Sequence, residues 1–386
     1  MRRVVVALAL LMAAAACARA QDIAMRVFVA HGAMQERDAR QIASLLGEAF
    51  DQAAWTLEME GEESLRELVM ADRAPQLVIC APGEALPWAK AGLLLPLMGA
   101  VSGQKQIEPG VLACCVEGER LFMAPLTADH RRMAVNRGLL EAKHLGYLIN
   151  AIDHPVWYLS QFQQLMEEFA LADIPAFEIW PARWEEDGSL EAMVQSLFGG
   201  MLLDEADGSC RADSAEICAG VKWLREMLQS GLIACAADRE TALQRFIEGK
   251  TPVFIDWTKE TQRRYAAEIR DSGMELIIMP YPSASGMAVR SYELIGASAF
   301  IGEDTQKNDL ALKAIAFLHE DAAAQEILGE RGVWRDEALW LPCLSADSRG
   351  ATLRMLFAKA LQAVLLDGED EKTALTAVQA MMEAAQ

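Results

Sequence analysis

The sequence predicts an α/β protein of more than one lobe, and three observations carry that expectation. Strand-like and helix-like segments alternate over the first hundred residues, the pattern of a parallel sheet covered by helices on both faces. The chain has 386 residues, more than one ordinary core accommodates. It is 53% hydrophobic and 24% charged, without a low-complexity tract or a Pro/Gly/Ser linker. The lobes should therefore share several direct crossings of chain, not one tether.

Each element follows in order. Residues 1–20 read as an export signal: basic Met1-Arg2-Arg3, an uncharged apolar run over 4–16, then Cys17 and the small-residue zone Ala18-Arg19-Ala20. That run is too short to span a bilayer, and no later one is long enough. A β-prone run over 25–30 is closed by His31-Gly32, and Ile42, Leu45, Leu46, Ala49 and Phe50 then stand at helical spacing. Residues 55–59 alternate as a strand. Residues 64–71 read as a helix with Leu65, Leu68 and Val69 inward. Ala74-Pro75 breaks the chain before Gln76-Leu77-Val78-Ile79-Cys80, a near-continuous apolar strand. A short helix stopped at Gly92 comes next. Gly118-Glu119-Arg120 is expected to turn between two short strands, and 121–125 and 133–136 are read as strands around a polar loop. From Pro155 to Leu366 helical spacing dominates, with strands near 252–256 and 275–279 and a returning strand at Leu294-Ile295-Gly296.

Composition excludes several functions. A net charge of −21 argues against a general nucleic-acid binder, which needs clustered Lys and Arg. It reads first as solubility and second as attraction for a cationic solute. Of the 8 cysteines, Cys17 belongs to the signal, and the odd remainder cannot all pair within the chain. Cys210 with Cys218 is the best candidate disulfide, and Cys80 suits a buried thiol. No C-x-x-C spacing occurs, and the 5 histidines (31, 130, 144, 154 and 319) show no ligand spacing, so no metal or cofactor is expected. There is no G-x-S-x-G, H-E-x-x-H, P-loop or G-x-G-x-x-G opening a helix. Ser102-Gly103-Gln104-Lys105 is a lone S-x-x-K match without partners. No catalytic residue is assigned, and an enzyme such as a secreted glycoside hydrolase is disfavoured.

A series of segments, in order, resembles the extracellular solute-binding proteins of ABC importers, in the family that includes sugar- and maltodextrin-binding proteins. Ala74-Pro75-Gln76-Leu77-Val78-Ile79, then Ala89-Lys90-Ala91-Gly92-Leu93-Leu94-Leu95-Pro96-Leu97, is similar to the family's "aPDlv…a..G.L.pL". Residues 119–125 and then 134–140 resemble "g..ya.P…..yN..l". Phe198-Gly199-Gly200, Asp207-Gly208, Asp213-Ser214-Ala215-Glu216 and Gln229-Ser230-Gly231-Leu232 form the most specific block. Phe246-Ile247-Glu248-Gly249-Lys250 to Ile255-Asp256-Trp257 resembles "F..Gk.am...g.w", and the tail from Ala363 to Ala377 resembles "vl.G..s.eeAl".

The resemblance implies a two-lobed periplasmic-binding-protein fold with a ligand cleft and hinge bending. Residues 21–127 plus 280–331 would make the first lobe and 128–279 plus 332–386 the second, with crossings near 125–131, 279–283 and Gly332. It also implies a monomer that captures a small solute, a carbohydrate first, and delivers it to a membrane permease. A cationic solute such as a polyamine, or sensing without transport, are the alternatives. Trp257 is the first candidate for stacking on a ligand, because the family motif places a tryptophan there. Gly83, Glu84 and His31 follow strands at the carboxyl end of the sheet, where such sheets bind ligands. Asp129 and His130 lie at the expected hinge, with Tyr281 beside the next crossing. Trp180, Trp184, Arg290, Tyr292 and Trp340 complete the candidate ligand-binding set. The signal ending at Cys17 resembles a lipobox, so the protein would be either a cell-surface lipoprotein lipidated on Cys17 or a periplasmic or secreted protein cleaved after Ala20.

Overall fold

Strands buried on both faces organise the first part of the chain. β1 (Ile23–Val29), β2 (Ala53–Met59) and β3 (Leu77–Cys80) are parallel, with β1 between the other two. Every residue of β3 is buried, as its unbroken apolar run requires. α1 (Glu36–Ala49) turns Ala39, Ile42 and Leu46 inward at helical spacing. α2 (Leu65–Met70) starts at a capping box in which Ser64 and Glu67 satisfy each other's backbone N–H. α3 (Pro82–Lys90) follows β3 directly, with proline in its first turn. α4 (Pro109–Ala113) precedes the hairpin of β4 (Val116–Glu117) and β5 (Arg120–Leu121), which turns at Gly118 with φ 63°. The computed structural model describes residues 23–384 except 31–32, 62, 98, 100, 102–106, 108, 150–156, 181–187, 205–207, 287–288, 329–338 and 341–349.

β6 (Ala124–Asn136) corrects the expectation of two strands around a polar loop: it is one strand of 13 residues. Its polar middle is held in the extended form by pairing, Arg132 opposite Trp257 and Met133 opposite Met279. Local polarity suggested a loop there, and ladder hydrogen bonds overrode it. α5 (Arg137–Ala142) is capped by the Asn136 side chain on Leu139 N–H. α6 (Leu159–Ala170), β7 (Glu178–Ile179), α7 (Ser189–Phe198), α8 (Ala215–Gln229), β8 (Ala234–Cys235) and α9 (Arg239–Ile247) lead to β9 (Val253–Trp257). α10 (Lys259–Arg264) and α11 (Ala266–Ser272) then precede β10 (Leu276–Met279). α7 is buried from Ser189 to Leu197, with α8 against it. Gly220 of α8 makes that approach possible, since a Cβ there would sit 2.8 Å from the Val194 carbonyl oxygen.

β11 (Val289–Ala299) returns antiparallel to β3, pairing Gly296 with Cys80. α12 (Thr305–Glu320) buries Leu310, Ala314, Ile315 and Leu318, and its Phe317 meets Phe50 edge-on at 5.8 Å. α13 (Ala322–Leu328), β12 (Leu339–Trp340), α14 (Gly350–Leu365) and α15 (Glu371–Ala384) complete the described elements.

Two compact units result. One comprises the described residues up to Lys105 with Cys115–Thr127 and Ile295–Arg331; the other comprises Gln106–Cys114, Ala128–Leu294 and Gly332–Gln386. The chain leaves the first unit after Thr127, inside β6, and re-enters it after Leu294, inside β11. The crossing expected at 279–283 is therefore interior to the second unit; the expected crossing at Gly332 lies outside the described residues. The second unit's core gathers Trp157, Phe162, Phe177, Trp180, Phe254 and Trp257 among many aliphatic side chains. Cys210 and Cys218 are both thiols, so the expected disulfide is not formed; Cys218 donates to the Asp213 carbonyl instead. Among the described residues, no helix is long and apolar enough to cross a membrane.

Candidate functional site

In the first unit the carboxyl ends of three adjacent parallel strands come level. Val29 stands opposite both Met59 and Ile79, so Ala30, Glu60 and Cys80 end their strands side by side. Ala30 N–H donates to the Ile79 carbonyl at 3.0 Å and Glu60 N–H to the Val29 carbonyl at 2.9 Å, which locks the alignment. The chain then enters α3, bringing Gly83 and Glu84 to that edge in the first helical turn. The Glu84 carboxyl has its pKa raised to about 7, first by the protein packed around it and second by the Glu60 carboxylate. Glu84 is an exposed residue, so solvent screens part of that repulsion. Beneath it the Cys80 thiol is pushed well up by burial and then by Glu84 and Glu60. That thiol is inert at neutral pH, and the edge carries the two carboxyls of Glu84 and Glu60.

In the second unit the end of β9 carries a buried ion triad. Asp256 takes Arg131 Nη1 at 2.5 Å and Arg239 Nε at 2.5 Å. Arg239 also donates to the Asp256 carbonyl at 3.1 Å and to Thr261 Oγ1 at 2.7 Å. Burial alone would raise the Asp256 pKa; the two guanidiniums outweigh it and hold the carboxyl below its usual range. Arg131 comes from β6 and Arg239 from the first turn of α9, so the triad ties β6, β9 and α9 together.

The sequence-derived candidates divide three ways. Glu84 and Gly83 stand at the carboxyl edge. Trp257, Trp180 and Tyr281 are core residues, exposed by 0%, 1% and 1%. Trp257 packs edge-on against Phe246 and Phe254, Trp180 stacks on Phe254 at 5.7 Å, and Tyr281 donates its hydroxyl to the Ile255 carbonyl at 2.8 Å. Stacking on a ligand needs an open ring face, and these rings offer none. Asp129 and His130 lie in β6, Arg290 and Tyr292 in β11, and Trp340 in β12, by backbone position. His31, Trp184 and Cys17 lie outside the described residues. Glu60, Arg131, Arg239 and Asp256 were missed. Glu60 follows the end of its strand as Glu84 does, so the same rule reaches it. The triad joins positions 125 apart in sequence, which no local pattern reveals. Among the described residues no group of three or more His, Cys, Asp and Glu could hold a metal ion.

Comparison with family models gives no match, and comparison with curated protein sequences gives none either. Solved structures do match. The chain is similar to the sugar-binding protein MalE of Xanthomonas citri, with TM-score 0.74 and 13% identity over 94% of this chain and 96% of that one. It is similar to the GacH receptor of Streptomyces glaucescens, solved unliganded and with acarbose, with TM-score 0.73 and 13% identity over 94% and 98%. The cyclic α-maltosyl-1,6-maltose binding protein of Arthrobacter globiformis matches with TM-score 0.73 and 14% identity over 94% and 98%. At such identities the likeness establishes the fold, the two-lobed periplasmic-binding-protein fold.

Proposed function

We propose that this protein is an extracytoplasmic solute-binding receptor that captures a carbohydrate and delivers it, chemically unchanged, to an ABC permease. One observation carries the reading: the fold is matched over 94% of this chain and at least 96% of theirs by proteins whose names state sugar or acarbose binding. The carboxyl edge of the first unit supports it. Open α/β sheets bind ligands at that edge, and the Glu84 and Glu60 oxygens are acceptors for sugar hydroxyls. In this reading Glu84 and Gly83 contact the solute, together with His31, Asp129, His130, Trp184, Arg290, Tyr292 and Trp340. Trp257, Trp180 and Tyr281, buried in the second unit's core, are left out of that contact set. Binding drives hinge bending to the extent that the solute prefers the closed form. Residues 1–20 direct export, and Cys17, if lipidated, tethers the receptor to the membrane beside its permease.

A thermal-shift screen of the exported form tests this. A solute present at a hundred times its Kd stabilises a binding protein by about 2.7 kcal/mol, which raises Tm measurably. Malto-oligosaccharides or acarbose raising Tm supports the reading. A rise with spermidine alone, fading with salt, replaces the carbohydrate by a polyamine. Silence across sugars, polyamines and amino acids overturns the receptor reading.

A further inference from the structure

One extra residue sits in β9 where it pairs with β6. Val253 stands opposite Val135 and Phe254 opposite Ala134, but Trp257 stands opposite Arg132, so Ile255 and Asp256 together oppose Met133. A bulge of this kind interrupts the ladder and re-aims the side chains beyond it. Side chains take up both bulge carbonyls. Tyr281 donates its hydroxyl to the Ile255 carbonyl at 2.8 Å, and Arg239 Nη2 donates to the Asp256 carbonyl at 3.1 Å. The Asp256 carboxylate draws in Arg131 from β6 and Arg239 from α9, so the whole ion triad is built on the bulge.

The extra residue decides a face. Side chains alternate along a regular strand, so residues three apart point to opposite sides of the sheet. Phe254 and Trp257 are three apart, yet both pack on Phe246, at 6.0 and 6.3 Å, and they meet each other edge-on at 6.5 Å. The bulge has put them on one side. An unbroken ladder would set Trp257 opposite Arg131 and turn its indole to the other side, because a one-residue slip reverses every side chain beyond it. Asp256 would then stand opposite Arg132 and share its face, pointing away from the side chain of Arg131. The Asp256–Arg131 pair therefore exists only with the bulge. Both of its members are buried, and the cost of drying buried charges offsets their attraction, so the triad is a poor source of net stability. What such a group can supply is the choice of one pairing over another.

We propose that Asp256, Arg131 and Arg239 form a register lock: they select the bulged pairing of β9 with β6 and so keep Trp257 in the core. Asp256 is a positioning residue, acting on Trp257 through the strand register. Tyr281 supports the same state from the Ile255 carbonyl, and Ser196 holds Tyr281 in turn by donating to its carbonyl at 3.3 Å. The lock goes beyond the receptor reading and does not rest on it.

Indole and amide NMR of the whole exported chain tests it, with the Trp257 indole N–H resonance assigned by its loss in Trp257→Phe. The wild type should show one such resonance. In a variant that combines Arg131→Met, Asp256→Leu and Arg239→Met, the urea midpoint should stay at or above that of the wild type, because apolar groups replace a buried ion triad without loss. Its Trp257 resonance should nonetheless split in two, one at the wild-type shift and one displaced, and the amides of residues 253–258 should double with it. A role in stability alone would move the midpoint and leave one resonance. Asp256→Asn keeps the shape and removes the charge; it should show the same second resonance, and it decides the matter if the triple variant does not fold. A single Trp257 resonance at the wild-type shift in either folded variant means that aromatic packing alone sets the register, and overturns the proposal. Neither result bears on the receptor reading, which the thermal-shift screen decides.

Discussion

Asp256 is the residue whose loss should cost the second unit most. It is 3% exposed and faces two guanidiniums, and Arg131 is itself only 9% exposed. Removing one partner of a buried pair strands the other, so Asp256→Ala should destabilise by about 3–5 kcal/mol, read as a lower urea midpoint. Its pKa is depressed from 3.8, so the stability it contributes is present above that value and is lost as pH falls through the folded-state pKa. Glu84 has the opposite sign. Its pKa rises from 4.5 to about 7, so its contribution is fullest below 4.5 and is lost as pH rises through 7. Carboxyl NMR should place the Glu84 midpoint near 7, and Glu60→Gln should lower it. An unchanged midpoint in that variant removes Glu60 as a cause.

Among elements, α7 and α8 set the tightest tolerance. Gly220→Ala would improve helix propensity by about 1 kcal/mol. The added methyl, however, would meet the Val194 carbonyl oxygen at 2.8 Å and Val194 Cγ1 at 3.0 Å. Overpacking of this kind costs about 1–3 kcal/mol, so net destabilisation in chemical denaturation is expected. The elements that sequence made legible are those whose signal is local: β3 by its apolar run, α1 by spacing, α2 by the inward spacing of Leu65, Leu68 and Val69, and the hairpin by Gly118. β6 was not legible through Asp129-His130-Arg131-Arg132, because partners far along the chain hold it extended. Trp257 was read as a ligand platform because the resembled family's motif places a tryptophan there, while the choice between open face and core depended on Phe246 and Phe254 packing around it.

At the scale of the whole molecule, the excess of 56 acidic over 35 basic residues makes self-repulsion a general destabilising term. Exposed ion pairs such as Arg40–Glu36 and Lys372–Asp213 contribute little to offset it. Moderate salt screens the repulsion between charges more than about 10 Å apart, so Tm should rise from low to physiological ionic strength. A fall would mean that the buried ion pairs dominate. By itself the sequence determined the alternation of strands and helices over the first hundred residues, the α/β class and the expectation of more than one lobe, because periodicity, turn residues and chain length are written locally or in bulk. Only the tertiary structure decided that Glu60 joins Glu84, that Arg131 and Arg239 enclose Asp256, and that Trp257 is core. Each depends on groups from different elements meeting in space, and the free energy of such meetings belongs to the packed chain, not to any segment of it.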